Sequence, residues 1–141
     1  REKAPAAICR KVALAPDGGE IEVWGDGEQT RSFMHINDCV DGVWRLISSE
    51  HGGPLNLGTS RLITINALVD LVSEIAGKKL VKQHNLEGPQ GVRGRNSDNT
   101  KVYAALGWEP LVTLEEGMAT SYFWIENELL KEGRLPAVAS R

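Results

Sequence analysis

Cysteine is nearly missing from this chain: of 141 residues two are Cys, and Phe, Tyr and Met also number two each. Cys9 and Cys39 form no Cys-x-x-Cys pair, and His35, His51 and His84 fall at no metal-ligand spacing, so no metal site is expected. A domain of this length can bury a core without a disulfide staple, and a reduced, cytoplasmic protein is the expectation. No apolar run approaches the roughly 20 residues that cross a bilayer, and the first five residues hold no signal-peptide segment. Positive charge is not in excess either. Sixteen Lys and Arg against nineteen Asp and Glu leave a net charge of −3 and a pI near 5.6, which excludes a general attraction to nucleic acid or to an anionic membrane. Any phosphate recognition must be local, made by a few placed Arg and Lys side chains. Phosphate loops are absent, and Gly25-Asp26-Gly27 lacks the third glycine and the following helix of a dinucleotide fingerprint.

What remains is ordinary for a globular domain, with 41% hydrophobic and 25% charged residues. The chain opens on Arg1 without an initiator Met, which reads as a piece of something longer. Pro5 in a first turn, followed by Ala6, Ala7, Ile8, Lys11 and Val12, predicts a helix ending before Pro16. Glu20-Ile21-Glu22-Val23-Trp24 alternates as a half-buried strand does, and Gly25-Asp26-Gly27 is expected to turn it as a hairpin into a second extended run, Gln29 to Ile36. Asn37 or Asp38 caps a helix with the apolar stripe Val40, Val43, Trp44 and Ile47. Leu55-Asn56-Leu57-Gly58 predicts a short buried strand and Leu62-Ile63-Thr64 another extended piece. Ile65, Leu68, Val69, Val72, Ile75 and Ala76 make an amphipathic helix closed by Gly77. Leu80 to His84 can form a strand, and residues 85–97 a polar loop. Ser97 is expected to cap a helix from Asp98 to Leu106. The last helix opens on the capping box Thr113-Leu114-Glu115-Glu116, with Met118, Tyr122, Ile125 and Leu129 inward, and the tail after Gly133 is expected to fray. The Trp and Met residues are most simply core. Strands alternating with about five helices indicate an α/β fold.

Three groups of residues could carry chemistry. Arg31, at a strand start, can fork onto a phosphate or carboxylate, or stand as a solvated edge charge. Arg93 and Arg95 flank Gly94 in a loop that leads to a helix N-terminus, so they read either as an anion site or as solvated charges. Lys3, Arg10 and Lys11 share one helix, where clustered cations can lower a lysine's pKa toward acid–base use; the plainer reading is a solvated face.

These pieces then accumulate. The Glu2-Lys3-Ala4-Pro5-Ala6-Ala7 helix start, Gly25-Asp26-Gly27-Glu28-Gln29-Thr30-Arg31-Ser32-Phe33, Gly91-Val92-Arg93-Gly94-Arg95-Asn96-Ser97-Asp98-Asn99 and Leu106-Gly107-Trp108-Glu109-Pro110 stand in one order. In that order the chain resembles the C-terminal half of the Rossmann-type extended short-chain dehydrogenase/reductases, and within them the GDP-mannose 3,5-epimerases, from Arg1 to about Glu132. The resemblance implies that residues 1–141 are one substrate-binding domain of an NAD-dependent enzyme whose NAD-binding half lies upstream. In that family NAD oxidises the sugar at C4, a Cys/Lys pair exchanges the C3 and C5 protons, and C4 is reduced again. Carried over, Lys3 matches the acid/base lysine, Glu2, Ala4 and Lys11 match substrate contacts, Gln29, Thr30 and Arg31 match the nucleotide-contacting run, and Arg95 matches the diphosphate-binding arginine. The implied ligand is a nucleotide sugar of the GDP-mannose type, and a homodimer is open. The glycine-rich NAD loop, the Tyr-x-x-x-Lys pair and the partner Cys have no counterpart here, so the chain alone is expected neither to hold NAD nor to turn over. Another 4-epimerase, dehydratase or reductase of the same superfamily, or a binding module without chemistry, are the alternatives.

Overall fold

The computed structural model describes residues 2–89 and 91–135; the predicted fraying tail lies for the most part outside them. Helix α1 (Ala4–Leu14) carries Pro5 in its first turn, where a missing N–H costs nothing. Strand β1 (Glu20–Trp24) buries Ile21 and Val23 and turns Glu20, Glu22 and Trp24 outward, the period of two that its alternation predicts. Helices α1, α3 (Ile65–Ile75) and α5 (Leu114–Lys131) pack on one another and share a core with β1. Cys9 and Val12 from the first, Leu68, Val69 and Val72 from the second and Met118, Tyr122 and Leu129 from the third fill one core with Ile21 and Val23.

Local chemistry sets the ends of these elements. Thr64 Oγ1 caps α3 by accepting from Ala67 N–H at 3.0 Å, and Gly77 ends the helix at φ +65°, the left-handed turn that glycine adopts freely. The capping box of α5 is complete, with Glu116 N–H donating to Thr113 Oγ1 at 3.2 Å and Thr113 N–H donating to the Glu116 carboxylate at 3.0 Å. Lys78, just past α3, donates to the carbonyls of Val12, Ala13 and Ala15 at 2.7–2.9 Å. One ammonium thus satisfies the carbonyls at the end of α1 and ties α3 to it.

Several expectations fail for identifiable reasons. Gly25 to Gly27 is a turn but not a hairpin: β1 pairs in parallel with β4 (Val81–Asn85), while β2 (Thr30–Arg31) pairs antiparallel with β3 (Ile63–Thr64). Asn66 captures the turn, its N–H donating to the Gly27 carbonyl and its side-chain amide to the Asp26 carbonyl, both at 3.0 Å. A side chain on Gly27 would collide with Asn66. Helix α2 (Ile36–Ile47) begins two or three residues early and is capped by His35 Nδ1 rather than by Asn37 or Asp38. Asp38 instead reaches across the fold, accepting from Leu111 and Val112 N–H at 3.1 and 3.0 Å. Residues 55–58 form no strand and are not buried. Helix α4 (Thr100–Leu106) starts after Asn99, not Ser97, whose hydroxyl is buried without a partner among the described residues. Trp108 and Met118 are core, but Trp24, Trp44 and Trp124 are exposed. Among the described residues no helix is long and apolar enough to cross a membrane.

Candidate functional site

A cleft of about 380 Å³ opens between the outward side of α1, the end of β1 and the start of β2. Helix α1 contributes Ala4, Arg10 and Lys11, and Glu2 stands just before it; β1 contributes Glu22 and Trp24; the run into β2 contributes Gln29 and Arg31. Ile65 and Val69 of α3 form its apolar floor. The sequence folds this way because α1 and β1 are consecutive and pack side by side. Their polar residues therefore border one groove while Ile8, Val12, Ile21 and Val23 share the core.

The cleft's charges are already organised. Arg10 grips the Glu2 carboxylate, with Nε–O distances of 2.8 and 2.9 Å and an Nη2–O distance of 2.7 Å. That hydrogen bond holds Glu2 below the usual carboxylate range. Lys11 Nζ donates to the Glu22 carbonyl at 2.9 Å and its carboxylate at 3.2 Å, and stands 6.0 Å from the centre of the Trp24 ring. Glu22 is likewise lowered, first by a hydrogen bond from Asn85 and then by Lys11. Arg31 Nη1 donates to the Thr30 carbonyl at 2.6 Å, and Gly91 passes close enough to its guanidinium that a side chain there would crowd Nη2. Gln29 is 5% exposed; its Nε2 donates to the Trp24 carbonyl at 2.9 Å. Its Oε1 has no partner among the described residues. The site thus presents three cations, two of them paired with the carboxylates of Glu2 and Glu22, together with one aromatic face and one buried acceptor, and a phosphorylated ligand could exchange with those carboxylates for the cations.

Of the residues singled out from sequence, Glu2, Ala4, Lys11, Gln29 and Arg31 come together here. Thr30 lies between two of them, with its hydroxyl against Gly94. Lys3 and Arg95 do not line this cleft. Lys3, the residue before α1, lines a neighbouring groove with Ala6, His35, Ile36, Trp124 and Ile125. Arg95 lines a third, with Ser32, Asn56, Thr59 and Ser97. The cation cluster that Lys3, Arg10 and Lys11 could have made on one helix is not formed: Arg10 and Lys11 each hold a carboxylate, and Lys3, the residue before α1, lies on another groove. Arg93 is no partner to Arg95 either, because its guanidinium is taken by Asp26 at 2.8 and 3.0 Å. The loop is anchored instead by its backbone, with Thr30 N–H donating to the Arg93 carbonyl at 2.8 Å and Ser32 N–H to the Arg95 carbonyl at 3.2 Å. Sequence reasoning missed Trp24 and Glu22; their outward phase on β1, next to Gly25, was the available signal.

The family model described as GDP-mannose 4,6 dehydratase matches residues 2–121. GDP-mannose 3,5-epimerase of Arabidopsis thaliana is 47% identical over 132 residues, which is 94% of this chain and 34% of that protein. The chain thus spans about a third of the length of the curated relatives it matches. The solved structure of UDP-glucose 4-epimerase with UDP-glucose from Thermotoga maritima is 30% identical and superposes with a TM-score of 0.77 over 90% of this chain and 40% of that one. UDP-glucuronic acid 4-epimerase from Bacillus cereus, solved with UDP-glucuronic acid and NAD, superposes with a TM-score of 0.80 at 23% identity, covering 90% and 40% of the two chains; that likeness is one of fold.

Proposed function

Since the chain belongs to the GDP-mannose 4,6 dehydratase family, we propose that it supplies the nucleotide-sugar-holding side of an NAD-dependent sugar-nucleotide epimerase of the GDP-mannose 3,5 type. The observation that carries this reading is the convergence of Glu2, Ala4, Lys11, Gln29 and Arg31 on one cleft, in a chain 47% identical to the Arabidopsis 3,5-epimerase over 132 residues.

In this reading Arg31 and Lys11 meet the diphosphate, where a guanidinium fork and an ammonium both donate to phosphate oxygens. Gln29 and the Trp24 ring take the nucleoside end. Lys3 sits on the chain between Glu2 and Ala4, which line the cleft, and its ammonium moves a proton at the sugar from the adjoining groove. NAD is the cofactor proposed for the whole enzyme, and the Gly25–Gly27 turn of this chain does not fit it. The turn at Gly25 and Gly27 leads into β2, and Asn66 packs into the space where a dinucleotide would need a bare backbone. In this reading hydride transfer is assigned to residues outside this chain.

A second reading, a UDP-sugar enzyme, is favoured by the 30% identity to the Thermotoga UDP-glucose 4-epimerase. Thermal shift of this chain with GDP, GDP-mannose, UDP and UDP-glucose at equal concentration separates the two. The first reading predicts larger stabilisation by the guanine pair. Equal or larger stabilisation by the uracil pair favours the second, and no stabilisation by any of the four contradicts both as readings of this cleft.

A further inference from the structure

Glycine recurs at every third position of the loop after β4, at 88, 91 and 94, and each of these glycines meets a residue at the end of β1 or on β2. A Cβ on Gly88 would stand 2.9 Å from Cβ and Cγ of Trp24, one on Gly91 3.3 Å from Arg31 Nη2, and one on Gly94 2.8 Å from Thr30 Oγ1. Carbon atoms rest about 3.5–4.0 Å apart, so a methyl group at 88 would force the loop or Trp24 to move. Gly88 and Gly94 carry no positive φ, so space rather than backbone conformation calls for glycine there. The loop is also pinned between them. The Asn85 carbonyl accepts from Gly25 N–H at 2.7 Å and from Gly88 N–H at 3.1 Å, which sets the loop and the end of β1 on one anchor. Pro89 lines the cleft, and Arg93 is held by Asp26. Thr30 and Ser32 N–H donate to the carbonyls of Arg93 and Arg95, the every-second-residue pattern of one extended chain laid beside another. A loop that used glycine for mobility would be neither tied at these points nor fitted to these side chains.

We propose that Gly88-Pro89 and residues 91–95 form a strap that positions Trp24, Thr30 and Arg31 for the nucleotide, with Gly88, Gly91 and Gly94 as its positioning residues. The strap acts through the side chains it presses on. Trp24 and Arg31 both line the cleft, where a long side chain that is free in the empty protein loses rotamer freedom when a ligand orders it. Side chains already held by the strap lose less, so binding is stronger for the same contacts. Gly91 passes beside Nη2 of Arg31 while Nη1 donates to the Thr30 carbonyl, and the guanidinium is thereby set from two directions. A bulkier residue at 91 or 94 shifts Arg31 or the residue before it. This role rests on the reading of the cleft as the nucleotide site.

The test is a double-substitution cycle in this chain, read by GDP titration and, without nucleotide, by the NMR amide signals of Thr30 and Arg31. Among the described residues Thr30 Oγ1 is the one atom within 4 Å of a Cβ at Gly94 outside its chain neighbours, so Thr30→Ala clears the space that Gly94→Ala fills. Gly94→Ala should move both signals and weaken GDP binding by about tenfold or more. On the Thr30→Ala background the same change should cost less than about twofold, whatever Thr30→Ala costs by itself. A glycine that served only the fold would cost the same in both backgrounds. Equal losses, or wild-type GDP affinity in Gly94→Ala, would overturn the proposal. Absence of GDP binding by the unsubstituted chain would contradict the nucleotide reading, and the nucleotide-free signals then decide the strap: displaced by Gly94→Ala and restored when Thr30→Ala is added, they support it; unmoved or not restored, they overturn it. If Gly94→Ala does not fold, Arg93→Ala, which removes only an exposed ion pair, takes its place. Displaced Thr30 and Arg31 signals in that variant support the strap, and unmoved ones overturn it.

Discussion

The side-chain amide of Gln29 donates to the Trp24 carbonyl at 2.9 Å, and this bond decides which end of Gln29 is left for a ligand. Turning the amide over would set two acceptors against each other, so Nε2 is committed to Trp24 and Oε1 is the end without a partner among the described residues. Gln29→Glu removes the donor and places a carboxylate beside that carbonyl. Stability should fall by about 1–3 kcal/mol in denaturant unfolding, the range for a buried polar group left unpaired. Affinity for GDP should fall at least tenfold, because the cleft then repels a diphosphate. Wild-type binding by the variant would remove Gln29 from the site.

Arg31 shares the cleft with Lys11, whereas Arg95 lines another groove. Arg31→Ala should weaken GDP binding by this chain by about 1.5–3 kcal/mol, the worth of a hydrogen bond to a charged group. Arg95→Ala is best measured in an intact enzyme, where a loss of similar size is the expectation. Calorimetric titration gives both numbers, and unchanged substrate affinity would return Arg95 to the role of an exposed loop charge.

A pH effect is expected at the start of α5. The hydrogen bond from Arg61 holds Glu115 at about pKa 2, against an ordinary value of 4.5, with guanidinium–carboxylate distances of 2.5 and 2.7 Å. A depressed carboxylate contributes stability that is present above its unfolded pKa and lost as pH falls through its folded pKa. The contribution should therefore disappear between about pH 4.5 and 2, and exposure to solvent limits it to below about 1 kcal/mol. Side-chain carboxyl shifts followed by NMR should show the Glu115 midpoint moved up toward the ordinary value in Arg61→Ala. A midpoint still near 2 in that variant would disprove the pairing.

The two thiols should react differently. Cys9 is fully buried between α1 and the core, and burial pushes its thiol up to about 11; Cys39 is half-buried on α2. Thiolate is the reactive form. A thiol reagent at neutral pH should modify Cys39 within minutes and reach Cys9 only on unfolding. Equal rates would mean that α1 is loosely held.

Much of the fold was legible because its signals are local. The Thr113 to Glu116 capping box, the Gly77 stop and the alternation of residues 20–24 each act within one turn or one strand, and all three form as read. What escaped depends on distant partners. The hairpin at Gly25 fails because Asn66 captures the turn and β4 takes the edge of β1. Arg93 was indistinguishable from Arg95 until Asp26 claimed it. The α2 stripe stands at the helical spacing read from the sequence but is exposed, and residues 55–58, read as a short buried strand, form none and are not buried, because no strand among the described residues pairs with them. Within the cleft, spacing exposed Lys11 and Arg31 as candidates, whereas Trp24 joined them only through the packing of β1 against α1.

The central claim is that the α1–β1–β2 cleft holds the nucleotide sugar. Titration of GDP-mannose into the 15N-labelled chain tests it residue by residue. Saturable amide shifts should concentrate at Lys11, Trp24, Gln29 and Arg31, with the exposed face of α2 unmoved. Saturable shifts confined to other surfaces, or none at millimolar ligand, would contradict it.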